Sequence, residues 1–479
     1  MRVVLLFPQW TQTYGIFGYF ARRHSGRPPL GLAYLAAVAE RAGHEVRIID
    51  GQREGLGPRE LARKALAERP DIVGITAASP FWDTAREIAA QVKALAREMP
   101  LAVGGPHITI LEEQAFDPVF DYGFVGEADQ SWPEFLNRLE AGRAFEDIKG
   151  ILFRENGVVR FTGMPDPVDI EALPFPARHL LSSDYWIGTP KGRKRLATIM
   201  WSRGCPFRCA FCATSLLGKR VRKRSPESVI EEMASVVCDF KERHFLFEDD
   251  NLTLDRAWML RFCDLLERCR LPLTFEGCTR ADLLDEELVK RMAGVGLVRL
   301  MLGLESADPE IRRIIKKDIP LACHAEANAL CARHGVETLN FVMLGLPGET
   351  RETVKRTLDY LRGAHDIGEV TFSIATPYPG TELLEMAGRG EYGLRLMTED
   401  WSKYRRYGSA VMAVNDLSPG DLVRLQNDGL ASIYLAPWRW RPMWRKMGLL
   451  GVLLTLFRLI LYLGHKLTRW TRGGRRCSA

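Results

Sequence analysis

Three cysteines within eight residues are the part of this sequence best suited to chemistry. Cys205, Cys209 and Cys212 form a CxxxCxxC motif that follows a predicted strand and the pair Arg203-Gly204. Thiolates are the usual ligands of iron–sulfur clusters, and four of them would complete a cubane. Three leave one iron without a protein ligand, so a substrate could chelate it, as at open zinc positions in catalytic sites. The alternatives are a zinc ion with a distant fourth ligand, or cysteines that bind nothing.

The motif opens the second of two stretches in which short apolar runs alternate with helical patterns. Strands are predicted there over residues 197–201, 244–247, 274–276, 298–302, 340–344 and 369–374. Helices are predicted over residues 226–237, 255–268, 286–293, 320–333 and 351–362. This alternation predicts an open, partial (β/α)6 barrel across residues 191–385. Barrel active sites lie at the carboxyl ends of the strands.

The first 145 residues alternate in the same way. Strands are predicted over residues 3–7, 45–49, 72–76, 101–103 and 122–125, and helices over residues 31–42, 59–68, 84–98 and 132–139. Such α/β alternation predicts a Rossmann-like, doubly wound parallel sheet, which binds ligands outside the carboxyl ends of its strands. The candidate contacts at these ends are Thr76, Ser79, Gly104, Gly105, Pro106, Gly126 and Glu127. Their small size suits close approach of the backbone to a large ligand.

On this pattern alone, the ligand of the first domain could be a nucleotide or a phosphate. No GxGxxG motif follows the first strand, which disfavours a dinucleotide. Residues 146–190 are predicted to link the two domains through a hairpin turned by Asn156-Gly157 and a proline-rich segment that ends near Arg178.

The net charge of +6 belongs to the end of the chain. Residues 430–479 contain no acidic residue and carry +10, so the rest carries about −4. An apolar run of about 17 residues, 447–463, lies in this tail between tryptophans and has Arg458 near its middle. A spanning helix needs about 20 apolar residues. We therefore predict a C-terminal helical region, residues 386–479, whose tail lies on the membrane surface; a helix packed on the protein is the alternative.

Length and cysteine spacing indicate a multidomain cytoplasmic protein. A chain of 479 residues suggests two to four domains of about 150 residues each. The remaining cysteines follow no repeating pattern, and the first apolar run meets Pro8 rather than a cleavage site. We expect reduced thiols, a location at the inner face of the membrane and no nucleic-acid partner.

Residues 1 to about 384 resemble the cobalamin-binding radical S-adenosylmethionine (SAM) family. This family includes methyltransferases that act on unactivated carbon or phosphorus and the anaerobic magnesium-protoporphyrin monomethyl ester cyclase. The motifs that carry the resemblance are Gly104-Gly105-Pro106-His107, Gly126-Glu127-Ala128-Asp129, Leu173-Pro174-Phe175-Pro176-Ala177-Arg178, the cysteine motif preceded by Ser202-Arg203-Gly204, Arg222-Lys223-Arg224-Ser225-Pro226-Glu227, Phe247-Glu248-Asp249-Asp250-Asn251, Gly303-Leu304-Glu305-Ser306 and Gly345-Leu346-Pro347-Gly348-Glu349-Thr350.

The resemblance implies three cofactors: a [4Fe–4S] cluster on the three cysteines, SAM on its open iron, and cobalamin in the first domain. It places the backbone near Phe211 against the SAM adenine. It also implies SAM contacts from Glu305 and Ser306 at one strand end, and from Glu276 and Arg280 at the neighbouring one. Each of these side chains could instead form a salt bridge across the barrel mouth.

The cobalamin motif DxHxxG is absent from the sequence. The resemblance therefore implies a corrin whose lower face lacks a protein histidine. His107 is interpreted as structural or as a corrin contact.

The predicted activity is C-methylation of an unactivated carbon in a hydrophobic substrate such as a lipid, tetrapyrrole or natural product. SAM would serve twice, as methyl donor to cobalamin and as radical source, with electrons from a flavodoxin or ferredoxin. The alternative is an oxidative cyclase or ring-rearranging enzyme with the same cofactors. An RNA methylthiotransferase is excluded because residues 1–199 contain no cysteine for a second cluster. The intact cysteine motif disfavours a non-enzymatic binding module.

Overall fold

The computed structural model describes residues 1–10, 26–214 and 220–434. The predicted membrane-surface helix, residues 447–463, lies outside these ranges. Across the described ranges, no helix combines the length and apolar character needed to span a membrane.

The first domain contains the doubly wound parallel sheet that the sequence predicts. Its parallel strands are β1 (Arg2–Phe7), β2 (Glu45–Asp50), β3 (Ile72–Thr76), β4 (Leu101–Gly104) and β5 (Tyr122–Phe124), in the order β2-β1-β3-β4-β5. Helices cover Leu30–Arg41, Gly51–Glu54, Pro58–Ala67, Trp82–Leu95, Pro106–Leu111 and Ser131–Glu140. The inner strands β1, β3 and β4 are mainly apolar because both faces of the sheet are covered, while the edge strand β2 exposes Glu45 and Arg47. The order reverses beside β1, where such sheets form a ligand crevice.

The hairpin assigned to the linker is part of this sheet. Strands β6 (Ile151–Glu155) and β7 (Val158–Phe161) pair antiparallel and extend the sheet beyond β5. Ile151 and Leu152 are fully buried and stand opposite Phe124 and Gly123. The first sheet therefore continues past residue 145, because these apolar side chains complete its core.

The second domain is a six-stranded parallel partial barrel, as predicted. Two short pairs precede or flank it: β8 (Trp186–Thr189) with β9 (Gly192–Arg195), and β11 (Ser202–Arg203) with β12 (Arg222–Lys223). The barrel strands, in sheet order, are β10 (Ala197–Ile199), β13 (His244–Phe247), β14 (Thr274–Thr279), β15 (Leu297–Glu305), β16 (Glu337–Leu344) and β17 (Glu369–Ile374). Its α-helices cover Pro226–Ser235, Arg256–Cys269, Glu286–Gly294, Pro309–Ile314, Leu321–Arg333 and Arg351–Gly363.

The region after the barrel is only partly helical. Helices Glu382–Arg389 and Pro419–Tyr434 enclose an antiparallel pair, β18 (Leu394–Leu396) and β19 (Met412–Val414). The predicted C-terminal helical region therefore also contains a strand pair, because Met412–Val414 is buried and pairs with β18.

The turn after β16 contains a buried carboxyl group. Glu349 is 1% exposed and accepts a hydrogen bond from the Gly345 amide. Burial raises the pKa of Glu349 from 4.5 to about 8. The folded protein therefore keeps a proton that the unfolded chain releases across this pH interval.

We expect the free energy of unfolding to fall as the pH rises from about 5 to 8, because over this interval the folded protein binds this proton and the unfolded chain does not. Above pH 8 the loss should level off, because both states are then ionised. Glu349→Gln should remove a slope of up to about 1 kcal/mol per pH unit from the unfolding free energy. Denaturant titrations at several pH values measure it. Glu352→Gln, which changes an exposed carboxylate in the next helix, is the control that should keep the slope.

Candidate active site

The three predicted cluster ligands lie on one segment between β11 and β12; its described first part, residues 204–214, we call the thiol loop. Strands β11 and β12 pair at its base. Its centre is fixed by Ala210, whose amide donates to the Ile315 carbonyl at 3.0 Å and whose carbonyl accepts from the Leu383 amide at 2.8 Å. Ala210 is 1% exposed, while the three cysteines are partly exposed. The loop is therefore tied to two neighbouring elements with its thiols accessible.

The segment after β13 fixes the chain that leads into the thiol loop. Asp249 accepts hydrogen bonds from the Trp201 amide (3.1 Å) and from the amide and hydroxyl of Ser202 (both 2.6 Å). Burial raises the pKa of Asp249 to about 7, against the effect of these hydrogen bonds. Two residues on, the Asn251 side chain donates to the Cys205 sulfur at 3.4 Å.

The thiols share one electrostatic environment. Burial raises the pKa of Cys205 and of Cys209, and the charge of Cys212 adds to both shifts. The nearby cations of Lys317 and Arg280 oppose the shift at Cys209. Such cations favour the thiolate form that ligates metal.

This donor set fits a cluster rather than a single ion. Within the described ranges, no three His, Cys, Asp or Glu side chains are grouped closely enough to hold one metal ion. In a cubane, however, each thiolate binds a different iron. Three accessible thiols on one loop meet that requirement and supply three of four ligands.

Three predicted SAM contacts lie beside the thiols. The Arg280 guanidinium is 3.7 Å from the centre of the Phe207 ring, inside the cysteine motif, and donates to Asp282. Glu305 pairs with Lys317 at 2.8 Å. The same Lys317 nitrogen lies 5.8 Å from the centre of the Phe211 ring. Charged groups thus surround the accessible face of the thiol loop.

Glu305 adopts a strained backbone at the end of β15. Its φ is +59°, in the left-handed region that costs a side-chain-bearing residue about 1 kcal/mol or more. The β15–β16 register shifts between Gly303 and Glu305. A Cβ on Gly303 would lie 2.1 Å from the Lys317 nitrogen and 2.5 Å from a Glu305 oxygen. Glycine at position 303 therefore leaves room for this ion pair.

We expect Gly303→Ala to weaken SAM binding, because the added Cβ would displace the ends of Lys317 and Glu305. Losing one charged hydrogen bond from Glu305 to SAM would cost roughly 1.5–3 kcal/mol, or about tenfold or more in affinity. Equilibrium binding of SAM to the iron-loaded protein measures the effect, and the iron content should not change. Gly188→Ala is the matched control because nothing lies within 4 Å of a Cβ there. Unchanged SAM affinity in Gly303→Ala would argue against a role for the pair.

Two predicted SAM contacts are enclosed elsewhere. Because β14 continues to Thr279, Glu276 lies within the strand and not at its end, which corrects that placement. It is fully buried and pairs with Arg299 at 2.6 Å. Ser306 is also fully buried; its hydroxyl accepts from the Asp308 amide and lies 3.3 Å from the Thr357 hydroxyl. A role of these two residues in SAM binding stays a prediction.

A cavity of about 580 Å³ lies between the two domains. From the first domain it is lined by residues at the carboxyl ends of β1, β3, β4 and β5, including Phe7 and Phe124. From the barrel it is lined by Met200, Arg203 and Glu248, which follow β10 and β13. The carboxyl ends of both sheets therefore face one cavity. One of the residues that line it, Arg203, precedes Cys205 by two positions in the chain.

All but one of the predicted contacts in the first domain line this cavity. They are Thr76, Gly104, Gly105, Pro106, Gly126 and Glu127. Gly105 has φ +106°, and a Cβ there would lie 2.6 Å from the Ala77 carbonyl oxygen, so the turn requires glycine. The bare backbone and the mostly apolar walls fit a large flat ring such as a corrin.

Ser79 and His107 lie behind the cavity wall. The Ser79 hydroxyl is 3.0 Å from His107 Nδ1, and neither residue is among those that line the cavity. The His107 ring lies 4.6 Å from the ring of Trp82, and burial lowers the pKa of His107 to about 4. His107 is thus part of a buried aromatic group, which agrees with its structural interpretation.

Several residues of the site carried no signal of their own in the sequence. Lys317 follows a short helix outside any motif, and only the structure brings it to Cys209 and Glu305. Asn251, Asp129 and Arg222 stand in the quoted motifs. The contact of Asn251 with Cys205 follows from packing within the barrel. The contacts of Asp129 with Arg203 and of Arg222 with Glu127 depend on the relative placement of the two domains.

Comparison with known proteins gives consistent matches. The radical SAM superfamily matches residues 199–361, and the B12 binding domain matches residues 19–136. An uncharacterised methyltransferase of Pyrococcus horikoshii is 34% identical, over 86% of this chain and 88% of that protein. The anaerobic magnesium-protoporphyrin IX monomethyl ester cyclase of Rubrivivax gelatinosus is 26% identical, over 83% and 72%. The hopanoid C-3 methylase of Methylococcus capsulatus is 27% identical, over 74% and 67%.

Solved structures agree on the fold. The radical SAM methyltransferase TsrM from Kitasatospora setae, solved with cobalamin and a [4Fe–4S] cluster, superposes with a TM-score of 0.70. The match covers 91% of this chain and 88% of that one at 20% identity. At this identity the likeness establishes the two-domain architecture alone.

Proposed function

The chain belongs to the cobalamin-binding enzymes of the radical SAM superfamily, and we propose that it transfers a methyl group to an unactivated carbon of a hydrophobic substrate. Its cofactors are a [4Fe–4S] cluster, SAM and cobalamin. The methyltransferase of Pyrococcus horikoshii, at 34% identity over most of both chains, supports methyl transfer. The substrate class is a lipid, tetrapyrrole or natural product.

The shared cavity is the observation that carries this proposal. Methyl transfer through cobalamin to a carbon radical needs the corrin and the SAM site to reach the same substrate. Arg203 lines the cavity, and Cys205 follows it directly after Gly204. A molecule in the cavity is therefore within reach of both domains.

The residues of this chain bind the cofactors, orient SAM and enclose the cavity. When bound, the cluster supplies the electron that cleaves SAM, and the cobalamin supplies the carrier for a methyl group. Cys205, Cys209 and Cys212 would hold the cluster. Lys317 and Glu305 would orient the amino acid part of SAM, and the apolar walls of the cavity would exclude water.

The similarity to the hopanoid C-3 methylase of Methylococcus capsulatus supports a hydrophobic substrate. The enzyme receives its electrons from a small one-electron carrier of the flavodoxin or ferredoxin type.

The basic, tryptophan-rich tail supports peripheral contact with the inner face of the membrane. We expect the intact protein to float with vesicles of anionic lipid and not with neutral ones. Replacing Arg469, Arg472, Arg475 and Arg476 by glutamine should reduce this binding at moderate salt, since each cation near the surface is worth about 1 kcal/mol. Equal flotation of wild type and variant would argue against an electrostatic contact.

The second candidate function is an oxidative cyclase. It is favoured by the similarity to the cyclase of Rubrivivax gelatinosus, which covers 83% of this chain. Such an enzyme would use the same three cofactors without transferring a methyl group.

Anaerobic reconstitution with iron, sulfide and cobalamin, followed by SAM with a labelled methyl group and a reductant, tests the proposal. A methyltransferase should form 5′-deoxyadenosine and S-adenosylhomocysteine together, and label should enter an added lipid or pigment extract. Deoxyadenosine without S-adenosylhomocysteine favours the cyclase. Neither product in the presence of a bound cluster would contradict both.

A further inference from the structure

Two arginines stand side by side at the base of the thiol loop. In the β11–β12 pair, Arg203 is directly opposite Arg222. Like charges directly opposite each other destabilise an antiparallel pair. The closed base of the loop therefore depends on negative charge supplied from elsewhere.

That charge comes from the first domain. Asp129 accepts two hydrogen bonds from the Arg203 guanidinium, at 2.7 and 3.1 Å. Glu127 accepts from both terminal nitrogens of Arg222, one of them at 2.7 Å, and from the Val168 amide at 3.3 Å; it also lies 3.6 Å from Arg203. Arg222 also donates to the Val168 carbonyl at 2.9 Å. Such two-pronged pairs fix orientation as well as distance.

These four side chains are largely shielded from water, so each ionised group is stabilised mainly by its oppositely charged neighbours. The side chains of Arg203 and Arg222 are each 16% exposed, and that of Asp129 is 6% exposed. Burial disfavours the ionised form of Glu127, yet the hydrogen bond from Arg222 and the charge of Arg203 hold its pKa below the ordinary value.

The two carboxylates belong to the wall of the cavity. Gly126, Glu127, Ala128 and Asp129 form the turn after β5, and all four line the space between the domains, as does Arg203. The turn is tightly packed from behind, since a Cβ on Gly126 would lie 2.7 Å from Pro165. A molecule that fills the cavity therefore contacts the same turn whose carboxylates bind Arg203 and Arg222 at the base of the thiol loop.

We propose that Glu127, Asp129, Arg203 and Arg222 couple occupancy of the cavity to the geometry of the thiol loop. They are positioning residues: cobalamin in the cavity fixes the turn, the turn fixes both arginines, and the arginines fix the loop that presents the open iron to SAM. This inference rests on the proposed function, because it assigns the cavity to cobalamin and the loop to the cluster and SAM.

The test is a pair of binding measurements, independent of turnover. The dissociation constant of cobalamin is measured anaerobically on the iron-loaded full chain with and without SAM, and that of SAM with and without cobalamin. Linkage requires the same ratio in both directions, and coupling between sites typically amounts to roughly 5- to 150-fold. We expect wild type to show such a ratio and Arg222→Met to bring it close to 1. Arg222 does not line the cavity, so cobalamin should still bind.

Two further variants keep the test decisive. Arg222→Lys retains the charge without the two-pronged geometry and should give an intermediate ratio, even if Arg222→Met folds poorly. Arg261→Met removes an exposed arginine that makes a two-pronged pair with Glu227, and it should keep the wild-type ratio.

A ratio near 1 in wild type, or a wild-type ratio in both Arg222 variants, would overturn the inference. Both outcomes leave the proposed function intact if deoxyadenosine and S-adenosylhomocysteine still form. Failure of wild type to bind cobalamin at all would instead contradict the proposed function.

Discussion

We expect Cys209→Ala to abolish deoxyadenosine formation, because the two remaining thiolates would not hold the cluster that cleaves SAM. Cys209 is partly exposed and lies near the charges of Lys317, Arg280 and Glu305. We expect iron–sulfur absorption after anaerobic reconstitution to fall to a small fraction of wild type. SAM cleavage should fall to background, measured as deoxyadenosine per protein under reducing conditions.

The control for this substitution is Cys238→Ala, which removes an exposed cysteine outside the loop. It should leave iron content and SAM cleavage unchanged. Cobalamin binding should survive in both variants, since no cysteine lines the cavity. Wild-type deoxyadenosine formation in Cys209→Ala would remove the basis of the proposed chemistry.

The sequence was sufficient to predict the parallel strands of both sheets. Parallel strands are buried on both faces, so they appear as apolar runs between amphipathic helices, and their carboxyl ends indicate where ligands bind. The contacts of Gly104, Gly105 and Gly126 with the cavity followed from this rule alone. The three cysteines share one loop because they are close in the chain, and their role as cluster ligands stays a prediction.

Errors arose where long-range packing decides the outcome. The prediction ended β14 at Glu276, but the strand continues through Gly277 and Cys278 to Thr279, where packing within the barrel outweighs weak local propensity. The hairpin of residues 151–161 joined the first sheet because Ile151 and Leu152 complete its core. Nothing in the local pattern distinguishes a free hairpin from a sheet edge.

Two arginines in the quoted motifs, Arg178 and Arg224, have a common partner that the sequence did not reveal. Arg178 comes from the proline-rich segment and Arg224 from the segment after the thiol loop. In the structure both donate to one carboxylate, Glu232, on helix Pro226–Ser235. A pairing between residues this far apart has no local signature, although the motifs themselves could be recognised.

Glu232 is the residue on which both of these arginines depend. It is fully buried, and Arg178 and Arg224 are 8% and 3% exposed. Arg178 pairs with it at 2.6 Å and also donates to the Thr198 carbonyl. Arg224 donates in addition to the Met200 carbonyl at 3.0 Å, at the entrance to the thiol loop.

Glu232→Gln should lower the free energy of unfolding by about 3–5 kcal/mol, because it leaves two buried guanidinium groups without a compensating charge. Chemical denaturation at neutral pH measures this, with the midpoint shifting and the slope retained. The matched control is Glu227→Gln in the same helix, which removes an exposed partner of Arg261 and should change stability little. If the two variants were equally stable, the buried arginines would not need Glu232. The linker would then have to be held to the barrel by its apolar contacts alone.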